Sequence, residues 1–255
     1  MFGDSYISEK KGVIASHLNA KFGLDVSGLT NFDIFSETCF KSIVSIKIWD
    51  EQLNSAERVP FGSASYLNEV ISNLNQVVIM GIIGLEVPSY TMLRRSLENI
   101  LTFLYYKDHP IEFFLKDNSD KTKKLQMDVL KQYIKEYPFE MQLSGYDPIK
   151  IKVLVEKVIL LYSKDYEELS NYVHSKNQKY LELNNYLDDL KPDDIVLEKL
   201  LYFLNNLSTV VNILNIIFFF NIYKSFQEPQ KEIIRLSISN NGHFKRSLLD
   251  IFGEF

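Results

Sequence analysis

The sequence predicts an all-α fold, a helical bundle with long central helices, on three observations. Glycine and proline number only 10 and 7 in 255 residues, too few turn formers for an all-β chain. No glycine occurs between Gly145 and Gly242, a stretch that reads as helices joined by short turns. From residue 201 to 223 there is no charge, and apolar and polar residues segregate at helical spacing.

The elements follow in order. Residues 6–22 form an amphipathic helix ended by Gly23 as a C-cap. Residues 32–54 carry Ile43, Ile46, Ile48 and Trp49 as an apolar stripe. Residues 65–106 read as one long element broken or kinked at Pro88, where an amide is lost. Residues 110–115 make a short helix, and 121–137 a charged, exposed one with Leu125, Val129 and Ile134 inward. Helices are then expected over 149–161, 164–175 and 180–190. Residues 192–226 form the longest, with Pro192, Asp193 and Asp194 suiting a helix start. Residues 229–238 read as helix or strand, and the last dozen as a short helix or a tail.

No internal repeat or low-complexity linker divides the chain, so one domain over 1–255 is the simplest account. Its bundle core falls at about 64–225, with N-terminal helices 1–60 packed on it and a short extension at 227–255. A chain this long buries roughly 70–75% of its unfolded surface, which needs no staple. The lone Cys39 excludes an intramolecular disulfide and a Cys-rich zinc module. A net charge of -5 argues against a protein coated in nucleic acid, while leaving room for one small basic site.

The uncharged run is long enough to span a bilayer. However, Asn205, Ser208, Thr209, Asn212 and Asn215 share one side of it, and amides are costly in lipid. It therefore reads as the central helix of a soluble bundle, with no membrane partner expected. The first 24 residues carry Asp4, Glu9, Lys10, Lys11 and Lys21 and no apolar run, unlike a signal peptide. Together with the unpaired cysteine, this predicts a cytoplasmic protein. Phosphate-binding loops, the zinc-protease helix and the nucleophile elbow are all missing. Gly81 and Gly84, in an apolar run, read as close helix packing, and residues 218–220, three phenylalanines, as core.

Two local patterns carry chemistry. Leu93, Leu97, Ile100, Leu101 and Leu104 form an apolar stripe, and Arg94 and Glu98, four apart, lie on its edge. Arg95 points away, and the polar edge continues to Tyr105 and His109. Further on, Tyr162, Tyr166, Leu169 and Val173 form a second stripe, edged by Ser170 and His174, again four apart. Each pattern alone reads as a structural pair beside a core: an ion pair in the first, a packed helix-end histidine in the second. Together they can converge at one rim of a bundle. Arginine, carboxylate and histidine at one site suit phosphodiester cleavage: histidine moves a proton, arginine stabilises the phosphorane charge and glutamate orients one of them.

The stretch from Gly84 through Arg94 to Glu98, with Tyr166-x-x-Leu-Ser-x-x-Val-His174 after it, resembles the HEPN superfamily. More narrowly, it is similar to bacterial HEPN-like proteins with an R-x-x-x-E helix and a later L-S-x-x-V-H helix. The resemblance covers roughly 64–225. It implies a helical bundle, frequent homodimers and often metal-independent RNase activity, with no cofactor and no metal. It also implies a place in toxin–antitoxin or antiphage systems, with RNA as substrate and a cognate antitoxin or defence-system protein as partner. The implied catalytic residues are Arg94, Glu98 and His174, with Tyr166, Ser170, Tyr105 and His109 lining the substrate. One departure is plain. The family's arginine precedes its histidine by R-x(4–6)-H, where this chain has Glu167, Glu168 and Leu169, so either Arg94 supplies the cation from another helix or the site is not an RNase site. The alternative is a non-catalytic helical module that binds a protein partner, as an adaptor or regulatory subunit of a defence complex.

Overall fold

The computed structural model describes residues 13, 15–55, 63–117, 125–184, 186, 189–240, 243–253 and 255. The helices are α1 (15–22), α2 (Phe32–Ser55), α3 (Ser65–Ile82), α4 (Glu86–Tyr106), α5 (Pro110–Asp117) and α6 (Met127–Glu136). They continue with α7 (Phe139–Gln142), α8 (Pro148–Val173), α9 (Asp194–Phe218), α10 (Phe220–Lys224), α11 (Glu228–Ser237) and α12 (Phe244–Phe252). A 3₁₀ turn covers Gln178–Tyr180. No strand occurs among the described residues, as the all-α reading requires.

Helix α9 is the axis of the bundle, packed by α2, α3, α4, α8 and α11. Every residue from Leu207 to Phe218 is buried. It is the one helix among the described residues long and apolar enough to cross a membrane, and 83% of its most apolar stretch is enclosed by the other helices. Its polar side is matched by α2. Trp49 Nε1 donates to Asn212 Oδ1 at 3.0 Å. Asn212 Nδ2 in turn donates to Ser45 Oγ at 3.1 Å and to the Ser208 carbonyl at 2.9 Å. Thr209 Oγ1 accepts from the Ser239 amide at 2.8 Å, after α11. Asn215 is buried with neither amide atom partnered, for which the packing offers no account.

Gly81 lets α3 approach α9 and α2: a Cβ there would lie 2.6 Å from Leu200 and 3.1 Å from Phe35. The side chain of Glu182 accepts from the Glu86 and Val87 amides, both at 2.9 Å, and so caps α4 from a distant loop. Asp194 ties down the residues leading into α2, accepting from Thr30 N at 3.0 Å and Asn31 N at 2.8 Å. Those two amides hold its carboxyl below the usual aspartate range.

Several predicted boundaries need correction. Of the helix expected over 6–22, residues 13 and 15–22 are described as helical and the remainder lies outside the described residues. Residues 121–124 of the charged helix lie outside them too. The long 65–106 element breaks at 83–85, not at Pro88. Pro88 falls in the first turn of α4, where an amide has no helical partner to lose. The two helices expected over 149–175 are one, α8, because Asp147 caps its start and Tyr162 and Asp165 bury its middle. The helix expected over 180–190 does not form across 181–184, where Glu182 is spent on the α4 cap. The long 192–226 helix starts after its cap, Asp193, and breaks at Phe219, which sits at φ -129, ψ 35. There the Gln142 side chain takes the Phe218 carbonyl out of the helical ladder. Residues 228–237 resolve as helix, and the C-terminal segment forms α12.

Candidate functional site

Helices α4 and α8 pack side by side, and the edges of their two stripes meet. Asp147 and Pro148 start α8: the Asp147 carboxylate accepts from Ile149 N at 2.9 Å, and proline supplies a ready first turn. The helix ends at His174. Ser175 turns left-handed at φ 46, and Lys176 N returns to the Asn171 carbonyl at 3.1 Å.

Four of the predicted site residues converge. Arg94 pairs with Glu98 at 2.9 Å along α4. Across the interface Arg94 Nε donates to Ser170 Oγ at 2.9 Å, and Nη2 donates to Tyr166 OH at 2.8 Å. Tyr166 OH donates onward to Glu98 Oε1 at 2.9 Å, closing the ring of contacts. The guanidinium carbon also lies 4.9 Å from the Tyr166 ring centre. The Arg94 and Glu98 side chains are only 20% and 19% exposed, so their charges are largely desolvated and held in one orientation. Burial, then the Glu98 carboxylate, pushes the Tyr166 phenol above its ordinary value. Arg94 Nη1 has no hydrogen-bond partner among the described residues.

His174 caps α8 one turn beyond Ser170 and is exposed; its backbone amide donates to the Ser170 carbonyl at 3.0 Å. No hydrogen bond or ion pair joins its ring to the other four side chains. Tyr105 and His109 lie elsewhere. Tyr105 is eleven residues along α4 from Arg94, roughly 16 Å at 1.5 Å per residue. The two rings stack at 3.9 Å, and His109 Nδ1 lies 2.7 Å from the Tyr105 carbonyl, which marks that nitrogen as the protonated one. Tyr133 packs edge-on against both, and its hydroxyl donates to Asp108. Asp108 also receives Lys107 Nζ, whose side chain is only 6% exposed and lies 4.7 Å from the Tyr137 ring centre. Burial draws the Lys107 ammonium below its ordinary value.

No protein-family model, curated protein or solved structure matches the chain.

Sequence reasoning missed two buried charges, Lys107 and Asp165. Asp165 had a visible signal: it follows Tyr162 by three and precedes Leu169 by four, inside an apolar stripe. It is 2% exposed, and burial raises its carboxyl from 3.8 to about 6, against smaller opposing effects of Asn206, Lys164 and Tyr202. Because the folded value lies above the unfolded one, this group favours folding most below about pH 4, and that contribution is lost as pH rises through about 6. Asp165→Asn is therefore expected to be more stable than the parent at pH 7 by about 3 kcal/mol. Urea unfolding from pH 4 to 7 should show the difference growing with pH. A constant difference would assign the effect to packing instead.

Proposed function

We propose that this chain is a HEPN-like protein of a toxin or antiphage defence system, cleaving RNA at the α4–α8 edge. The observation that carries the reading is the fixed Arg94 guanidinium. Three partners set its plane, and two of them, Tyr166 and Ser170, stand on the helix that ends at His174. In the proposed step His174 takes the proton of a ribose 2′-hydroxyl as its oxygen attacks the adjacent phosphorus. The bond from phosphorus to the 5′-oxygen breaks, that oxygen takes up a proton, and a 2′,3′-cyclic phosphate remains. Arg94 Nη1 donates to the non-bridging oxygens as negative charge builds there, and Glu98, Tyr166 and Ser170 hold it in place. A cytoplasmic location and homodimerisation belong to the same proposal. Support for pairing comes from α8 itself, which exposes Ile149 (74%), Val153 (44%) and Leu160 (72%) along one face.

A second reading has its own observation. The His174 ring is not bonded to the cluster, so Arg94, Glu98, Tyr166 and Ser170 also suit a latch that holds α4 to α8 in a non-catalytic, protein-binding module. His174→Ala separates the two. In a catalytic site it should lower RNA cleavage, or toxicity on overproduction, by about 10²–10⁴ with an unchanged melting temperature. If the parent cleaves no RNA, or the variant cleaves as well as the parent, the adaptor reading stands.

A further inference from the structure

A second concave site lies where the broken axis helix meets the C-terminal elements. A cleft of about 820 Å³ opens among α10, α11 and α12, a volume that suits a small ligand. One wall is aromatic. Phe220 and Phe252 stack at 4.0 Å, and Tyr146 stands edge-on to both at 5.2 and 5.1 Å. The rim is cationic, with Lys224, Lys231 and Arg235. Lys224 Nζ lies 5.4 Å from the Phe220 ring centre, and Lys231 Nζ lies 5.8 Å from that of Tyr223. Neither lysine has a carboxylate partner among the described residues. Arg235 donates to the Phe255 main-chain oxygen at 2.9 Å and pairs with Glu228, the one acidic side chain in the lining among the described residues. Three cationic side chains thus face one acidic side chain, in a chain whose net charge is -5.

An independent feature points to a ligand. Tyr223 lines the same cleft and is 1% exposed, yet its hydroxyl has no hydrogen-bond partner. A buried donor without an acceptor is uncommon, because it forfeits the bond it would make to water. The hydroxyl is close enough to Arg235 and Glu228 for both charges to act on it. An anion drawn in by Arg235 and Lys231 would bring acceptor oxygens to that corner.

We propose that this cleft binds a small molecule joining a phosphate monoester to a flat ring, with the chemistry of a mononucleotide. The phosphate, at about -1.5 to -2 charge near pH 7, meets the Lys224 and Lys231 ammonium groups. The ring packs on the Phe220–Phe252–Tyr146 wall. The site is separate from the α4–α8 edge, sharing no residue with it.

Titration calorimetry on the full chain tests this with three probes: adenosine 5′-monophosphate, adenosine and inorganic phosphate. The nucleotide should bind saturably, with adenosine and phosphate each at least about tenfold weaker, since each lacks half of the recognition. Joint Lys224→Gln and Lys231→Gln substitution should weaken the nucleotide about tenfold or more without lowering the melting temperature, because both ammonium groups stand at the rim. Tyr223→Phe removes only the unpaired hydroxyl. It should weaken binding several-fold while leaving the melting temperature equal or higher. His174→Ala should bind as the parent does, which keeps this site's fate apart from that of the RNA site. The proposal is overturned if the nucleotide does not saturate, if phosphate alone binds as well, or if the lysine pair can be replaced without effect.

Discussion

Gly84→Ala is expected to cost the fold about 3 kcal/mol, a large share of the roughly 5–15 kcal/mol that holds a domain of this kind together. Gly84 ends α3 at φ +80, and the next amide, Leu85 N, returns to the Met80 carbonyl at 2.8 Å. Left-handed backbone alone costs an L-residue about 1–2 kcal/mol. In addition, a Cβ at this position would lie 2.4 Å from the carbonyl oxygen of Lys191, so the backbone leading into α9 has to move. Gly23 is the control. It sits at φ +66 with nothing within 4 Å of its would-be Cβ, so Gly23→Ala should show the conformational cost only, about 1–2 kcal/mol. Guanidinium unfolding midpoints of the two variants measure the difference. Equal losses would mean that the Lys191 contact relaxes freely.

Asn212→Leu should be about as damaging, near 3 kcal/mol, although it places a more apolar side chain in a fully buried site. The amide is the hub between α9 and α2. Its loss strands the Trp49 indole N–H inside the core and takes a donor from Ser45 Oγ, which keeps its own bond to the Ser42 carbonyl. Each buried group left unpaired costs about 1–3 kcal/mol, more than the hydrophobic gain returns. The diagnostic is non-additivity. Once Asn212→Leu is in place, Ser45→Ala should cost less than it does in the parent, because the bond from Asn212 Nδ2 that it removes is already gone. Purely additive losses would show that the three side chains act independently.

Legibility differed between fold and site for identifiable reasons. Long stripes were readable: α2, α9 and the pairing of Arg94 with Glu98 all follow from residues three and four apart on a helix. The Tyr166 and Ser170 contacts were readable as well, since they border a stripe that had to face the same core. Tyr105 shares the Arg94 side of α4 by periodicity but not its height, and His109 lies past the end of that helix. Periodicity fixes angle around an axis, whereas reach depends on the rise, which separates Tyr105 from Arg94 by about three turns. The break at 83–85 was assigned to Pro88 because proline forbids an interior amide bond, a rule that does not apply in a first turn. The contacts made by Glu182 and Asp194 were invisible in sequence. Each joins segments 95 or more residues apart, and no local pattern encodes such a partner.

The placement of α9 also governs how the chain must come off the ribosome. Helices α2, α3, α4 and α8 all emerge before the element they surround, and the partner that Trp49 needs is 163 residues away. At roughly 5–20 residues per second, α2 waits on the order of 10–30 s for Asn212. It waits equally for Asp194, whose carboxylate holds the two residues just before α2. Throughout that interval the nascent chain displays the faces later closed over α9. Folding of this bundle is thus largely deferred until α9 has been made, and a product truncated before it would be a natural client of chaperones rather than a smaller version of the same bundle.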